Sequence, residues 1–88
     1  MLFRNLYVKV YSSLLSKDRE FVQAMVESDK EKVPIKDIMT KMDKPKNYIS
    51  IYRRRLIDDQ VIFSKERGYV EFTLPYFADF VAEFGNMY

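Results

Sequence analysis

The chain has 88 residues, enough for one domain with a single compact core, and almost half of them are apolar, with seven Phe and seven Tyr. Gly and Pro are scarce, which is typical of a folded, helix-rich domain and not of a disordered segment. Because Cys and His are absent, disulfides, zinc sites and histidine-based catalysis are excluded, and we expect no metal and no cofactor. No run approaches the roughly 18 apolar residues of a membrane span, and no signal-peptide pattern is present, so we expect no membrane partner and a cytoplasmic location.

The net charge is only +2, but the charges are unevenly distributed along the chain. Residues 41–55 contain six cations and one carboxylate, which is a local charge of +5. Residues 56–88 contain two cations and six carboxylates, which is a local charge of −4. We therefore expect a molecule with one positive side and one negative side.

The first two predicted elements are helices. Apolar residues at helical spacing predict a helix over residues 2–15, although residues 6–11 alone would also fit a strand. Its apolar positions are Phe3, Leu6, Tyr7, Val10 and Leu14. This segment is expected to pack on the domain, to link to an upstream domain or to form a dimer. Ser16 is expected to cap a second helix, over about residues 17–28. The buried face of that helix contains Phe21, Val22, Met25 and Val26.

Two helices joined by a tight turn are predicted in the middle of the chain. Residues 33–34 are extended and could add a short strand before a helix over about residues 36–42. The turn at residues 43–45 ends that helix, and Pro45 suits the first position of a basic helix. The buried face of the basic helix is predicted from spacings of three and four to contain Tyr48, Ile49, Tyr52 and Leu56.

A β-hairpin and a last helix complete the predicted order. Residues 61–63 and 69–73 are expected to pair around a turn at residues 64–68, where Gly68 supplies a positive φ. A helix then opens at Pro75 and ends near Gly85. This order predicts a mainly α fold with a small β-hairpin, an α+β winged helix-turn-helix with a three-helix core, a wing, and extra N- and C-terminal helices. The N-terminal helix would occupy residues 1–15 and the winged-helix domain residues 16–88.

The sequence of residues 47–81 resembles the C-terminal winged-helix domain of a group of prokaryotic AAA-type ATPases. That pattern has Asn-Tyr, a basic Tyr-Arg-x-Arg-Leu helix, an apolar strand, Arg-Gly and an aromatic Leu-Pro helix. The residues that carry it are Asn47, Tyr48, Tyr52, Arg53, Arg55, Leu56, Ile62, Arg67, Gly68, Phe72, Leu74 and Pro75. The likeness covers about residues 17–84. Asp43 and Gln60 depart from it, because glycine is usual at both places.

The resemblance implies a non-catalytic module. The GxxxxGK[ST] loop that cradles phosphates in such ATPases is absent from this chain, so the resemblance implies the tail of a larger protein. Asp58 and Asp59 are adjacent and point about 100° apart on a helix, so they cannot form a facing carboxylate pair. We therefore expect no enzymatic activity in this chain.

The basic helix is the candidate binding surface. Successive residues of a helix are rotated by about 100°, so with Tyr52 at the centre of the buried face, Asn47, Ser50 and Arg54 point outward. Arg53 and Arg55 then lie at the two sides of the buried face. The stems of these two arginines would cover apolar surface while their guanidinium groups reach solvent or phosphate. In a duplex-DNA complex, the three outward residues would face base edges in the major groove. The expected phosphate contacts are Lys44, Lys46, Arg53, Lys65 and Arg67.

Two other functions remain open beside DNA binding. The arginines could instead pair with carboxylates of an upstream ATPase domain or another protein partner, or the chain could be a small autonomous transcriptional regulator. A positive face free of carboxylates would favour DNA, whereas an apolar patch beside the arginines would favour a protein partner. A solvated surface without a partner is the remaining explanation for the arginines.

Overall fold

The computed structural model describes residues 4–87, which form five helices and a small antiparallel sheet. In chain order the elements are α1 (Arg4–Ser13), α2 (Ser16–Ser28), β1 (Val33–Pro34), α3 (Ile35–Met42), α4 (Lys46–Asp58), β2 (Ile62–Phe63), β3 (Tyr69–Phe72) and α5 (Phe77–Phe84). The predicted mainly helical α+β fold with a β-hairpin is confirmed.

The sheet has the strand order β1-β3-β2, with both pairs antiparallel. Val33 lies opposite Val70, and Ile62 lies opposite Phe72. Val33, Val70 and Ile62 are buried, so one face of the sheet belongs to the core. Pro34 lies at the edge of the sheet, where its missing N–H does not interrupt the ladder. The short strand predicted at residues 33–34 is therefore confirmed, and it extends the hairpin to three strands.

Helix α2 is the centre of the packing, because it contacts α3, α4 and α5. Its buried residues are Asp18, Phe21, Val22, Ala24 and Met25. The predicted aromatic stripe of α5 is confirmed: Phe77, Phe80 and Val81 are buried, and Phe84 packs partly against the core. One continuous apolar core therefore joins the helices to the inner face of the sheet.

Helix α1 packs on α5 and contributes Tyr7, Tyr11 and Leu14 to the same core. The Tyr7 ring lies edge-on to Phe77, with ring centroids 5.7 Å apart, and its hydroxyl donates to the carbonyl of Pro75. The prediction that Leu6 is buried is wrong, since its side chain is exposed. Tyr11 takes that place because the buried positions follow spacings of four and three that begin at Tyr7. The other predicted core residue, Phe3, lies outside the described residues.

Several helix starts differ from the prediction by one or two residues. Ser16 is the first residue of α2 and does not cap it; Leu15 occupies the cap position in an extended conformation. Pro45 precedes α4 as its cap residue, where the fixed φ of proline suits the extended backbone. Helix α5 begins at Phe77 and not at Pro75, because the intervening Tyr76 is left-handed, with φ 62°. Helix α1 ends at Ser13, two residues before the predicted boundary.

The two positions that lack the expected glycine still adopt a left-handed backbone. Asp43, after α3, has φ 53°, and Gln60, after α4, has φ 63°. Gly68 in the hairpin has φ 85°, as predicted. Asp tolerates this conformation through local hydrogen bonding, whereas Gln has no such compensation. The turns around α4 are therefore kept, at the cost of backbone strain at Gln60.

Candidate nucleic-acid interface

The inner face of α4 fixes which of its residues point away from the protein. Ile49, Tyr52 and Leu56 are buried, as predicted. The prediction that Tyr48 belongs to this face is wrong, because its side chain is 47% exposed. Tyr48 also lies four residues from Tyr52, but the buried face is rotated toward Ile49 and Leu56, which lie on the other side of Tyr52 around the helix.

The opposite face of α4 is a continuous exposed row of four side chains, the outward stripe: Asn47, Ser50, Ile51 and Arg54. They follow one another at i, i+3, i+4 and i+7, which places them on one side of a helix. Asn47, Ser50 and Arg54 are therefore exposed, as predicted. Within residues 4–87, no hydrogen bond or ion pair engages their side chains. Their donors and acceptors are available to a ligand.

The three consecutive arginines have three different environments. Arg55 is bound inside the protein: its Nη2 donates to Asp18 Oδ1 at 2.7 Å and its Nε donates to Asp18 Oδ2 at 3.2 Å. Its guanidinium carbon also lies 5.3 Å from the centroid of the Tyr52 ring. The hydrogen bond from Arg55 to Asp18 raises the pKa of Arg55, so this cation stays protonated. The prediction that Arg55 flanks the core and reaches solvent is confirmed by its 40% exposed side chain, although its guanidinium is also paired with Asp18.

The partner of Arg55 is the one charged group in the described core. Asp18 lies in the first turn of α2 and is only 2% exposed. A buried carboxylate needs a cation and hydrogen-bond donors, and Arg55 supplies both through a two-point contact. The contact joins α2 to α4 and therefore helps to set the rotation of α4 about its own axis.

The other two arginines are free of such a partner in the described part of the chain. Arg54 is exposed on the outward stripe, and Arg53 is half-buried beside it. Both border a shallow open groove, which is also lined by Ser50, Ile51, Ile57 and Asp58. Arg53 and Arg54 can therefore approach a ligand that lies along α4.

The start of α4 adds two more cations to this face. Lys46 is exposed, and the ammonium group of Lys44 lies 5.5 Å from the centroid of the Tyr48 ring. Residues 44–57 contain five cations and no carboxylate, and Asp18 neutralises only Arg55 among them. The N-terminal end of a helix also carries partial positive charge and free N–H groups, which favour phosphate. The cations of this face therefore lie between Lys44 and Arg54, with the carboxylates of Asp43 before them and Asp58 after them in the chain.

Lys65 and Arg67 lie on a separate element, the turn between β2 and β3, and both are exposed. Glu66 lies between them and forms an ion pair with Lys32 at 3.4 Å. The Ser64 hydroxyl donates to the carbonyl of Tyr69 at 2.8 Å and lies 3.2 Å from the carbonyl of Glu66, which holds the turn closed. The turn therefore presents two cations on an ordered backbone, but Glu66 weakens its positive charge.

Sequence reasoning missed the apolar member of the outward stripe. Ile51 is 52% exposed, whereas Ile57, which lies later in the same helix, packs partly against the core. The signal was present, since Ile51 follows Asn47 by four residues and precedes Arg54 by three. The exposed Tyr48 lies one turn before Ile51, so the cationic face also contains an apolar patch.

In residues 4–87 there is no group of acidic side chains that could hold a metal ion. The same part of the chain contains no helix with the length and apolar character needed to cross a membrane.

The fold and the site define a small, mainly helical α+β domain with one exposed cationic helix. The chain belongs to the family described as Domain of unknown function (DUF8462), whose profile matches residues 4–81. No curated protein and no solved structure matches the chain. The match begins at the first residue of α1, so α1 is part of the family's domain.

Proposed function

We propose that this chain is a non-catalytic winged-helix module that binds duplex DNA weakly through α4, and that it is the C-terminal part of an AAA-type ATPase. The order of elements supports this proposal. Helices α3 and α4 are joined by a tight turn at Asp43, and a hairpin with two exposed cations follows α4. In a helix-turn-helix protein the second of two such helices enters the major groove. The resemblance in residues 47–81 supports the ATPase parent.

The single observation that carries the proposal is the exposed outward stripe of α4, which is flanked by cations and has Asp58, the one carboxylate of α4, at its C-terminal end. Its outward stripe offers an amide at Asn47 and a guanidinium at Arg54, without a described internal partner for either. An Asn side chain pairs bidentately with adenine, and an Arg side chain pairs bidentately with guanine. These two side chains are the proposed base contacts, together with Ser50.

The phosphate contacts follow from the remaining cations. Lys44, Lys46 and Arg53 flank the outward stripe, while Lys65 and Arg67 belong to the hairpin that would act as the wing. About four or five neutralised phosphates give a slope near −4 in a plot of log K against log salt concentration. A nonspecific dissociation constant of roughly 10 to 100 μM is expected for one isolated domain.

The test compares the wild-type chain with an Arg53→Ala/Arg54→Ala variant on a labelled duplex, by fluorescence anisotropy over a range of salt concentrations. We expect the double variant to weaken binding strongly and to reduce the magnitude of the salt slope by about one to two. The matched control is Lys9→Ala/Lys17→Ala, which removes the same charge from exposed positions on α1 and α2 and should retain most of the binding. A wild-type chain without salt-sensitive binding at about 50 mM salt contradicts the proposal.

A second candidate function, docking on the chain's own ATPase domain or another protein, is favoured by the apolar patch. Tyr48 and Ile51 are both about half exposed beside the arginines, and aromatic and Arg side chains are enriched in protein interfaces. In that case Tyr48→Ala should weaken binding to the partner domain, measured by titration calorimetry, and leave duplex binding intact. The coding sequence upstream of this chain distinguishes an ATPase parent from a small autonomous regulator. A phosphate-binding loop encoded there supports the ATPase, and its absence supports the regulator.

A further inference from the structure

We propose that Ile51 is a specificity-determining residue that contacts the 5-methyl group of thymine in the major groove. This inference rests on the proposed binding of duplex DNA by α4. It goes further, because it assigns a base contact to an apolar side chain and therefore names a chemical feature of the DNA that is recognised.

The fold itself does not use the apolar character of Ile51. The other aliphatic residues of α4 pack against the core: Ile49 and Leu56 are fully buried, and Ile57 is partly buried. Ile51 lies outside that core and is 52% exposed. Folding of α4 therefore does not require an apolar side chain at position 51, and the exposed half of Ile51 is accessible to a ligand.

The neighbours of Ile51 show what kind of ligand fits. It lies in the middle of the outward stripe, between Ser50 and Arg54, and all three border the open groove along α4. Exposed Tyr48 lies one turn before Ile51, and the ammonium group of Lys44 lies 5.5 Å from the centroid of its ring. A ligand that contacts Ile51 from the groove therefore meets an apolar side chain with hydrogen-bonding groups on either side.

The edge of an A·T base pair in the major groove presents this combination. Thymine offers a methyl group beside its O4 acceptor, and apolar side chains contact that methyl group. Asn47 and Arg54 are seven residues apart, which corresponds to about 10 Å along a helix. Successive base pairs are separated by about 3.4 Å, so the outward stripe spans about three base pairs. We infer a site in which a thymine methyl lies between an adenine that contacts Asn47 and a guanine that contacts Arg54.

The experiment uses replacement of thymine by uracil, which removes only the 5-methyl group. A duplex pool is first selected from random sequence with the full chain, and binding is then measured to the selected pool made with thymine or with uracil. Burial of one methyl group corresponds to about a fourfold change in affinity. We expect the wild-type chain to bind the thymine pool about fourfold more tightly. Ile51→Ala should bind both pools equally, with an unchanged salt slope.

Leu15→Ala is the matched control, because it truncates another exposed aliphatic side chain away from α4. It should keep the wild-type preference for thymine. The inference is overturned if the wild-type chain binds both pools equally, or if Ile51→Ala retains the preference. Either result with salt-sensitive duplex binding intact leaves the proposed function standing. Absence of duplex binding to both pools contradicts the proposed function and this inference together.

Discussion

The contact between Asp18 and Arg55 is predicted to be the largest single electrostatic contribution to the stability of the described domain. Replacement of Arg55 by Met keeps most of the side-chain stem over Tyr52 but removes both hydrogen bonds to Asp18. Asp18, which is 2% exposed in the wild-type structure, then loses its cation. Asp18→Asn has a smaller effect, because the Arg55 side chain is 40% exposed and its guanidinium can turn to water.

The expected magnitude follows from this difference in burial. Breaking a fully buried ion pair costs about 3–5 kcal/mol, and an exposed pair contributes about 0–1 kcal/mol. Because Arg55 is partly exposed, we expect Arg55→Met to lower the free energy of unfolding by about 2 kcal/mol and Asp18→Asn by about 1 kcal/mol. For a domain of this size, a loss of 2 kcal/mol lowers Tm by roughly 8–16 °C.

The assay is urea unfolding followed by far-ultraviolet circular dichroism, with both single variants and the Asp18→Asn/Arg55→Met double variant. The double variant should be less destabilised than the sum of the two single variants, since each removes the same contact. The ion pair between Lys17 and Glu20 is the matched control, because both side chains are about half exposed. Lys17 Nζ lies 2.9 Å from Glu20 Oε2. Lys17→Met should change the free energy of unfolding by less than about 0.5 kcal/mol. If Arg55→Met is no more destabilising than Lys17→Met, the buried contact does not stabilise the fold as argued.

Two further predictions concern the backbone and pH. Gln60→Gly should raise the free energy of unfolding by about 0.5–1 kcal/mol, because glycine adopts φ 63° without strain. The control is Asp59→Gly, which should not raise the free energy of unfolding, because Asp59 has φ −80°. Equal effects of the two substitutions in chemical unfolding would contradict this prediction. The hydrogen bond from Lys30 lowers the pKa of Asp37, and a hydrogen bond from Ser28 also contributes. The ionised Asp37 therefore stabilises the fold fully above about pH 5, and this stabilisation is lost as the pH falls through the lowered pKa. Asp37→Asn should therefore reduce the acid dependence of the urea midpoint; an unchanged pH profile in that variant would show that Asp37 is not responsible.

The order of elements was predictable because it depends on local patterns in the sequence. The stripe Phe77, Phe80, Val81 and Phe84 repeats at helical spacing, and the structure shows a helix with this face buried. Gly68 was predicted to have positive φ because a tight hairpin turn requires it. In each case, the residues that determine the feature are within a few positions of it in the chain.

The starts of helices were less predictable, because several conformations compete there at similar energy. Ser16 is a favourable cap residue, and as a cap it would precede the helix, yet Ser16 is itself the first residue of α2. Pro75 suits a first helical position, yet Tyr76 turns left-handed before α5. The packing of Tyr7 on Phe77, and its hydrogen bond to the carbonyl of Pro75, join this turn to α1. Such contacts across the chain are not visible in local propensity.

The sequence by itself determined that α4 is an amphipathic basic helix and that Asn47, Ser50 and Arg54 face outward, because a period of 3.6 residues leaves them opposite Tyr52. Tertiary structure decided the exact rotation of that helix, which exposes Tyr48 and Ile51. It also decided that Arg55, and not Arg53 or Arg54, is bound by Asp18, which lies 37 residues away in the sequence. Helical phase separates the outward Arg54 from the flanking Arg53 and Arg55, but no local signal distinguishes those two, so the buried carboxylate of α2 determines that Arg55 is the one with an internal partner.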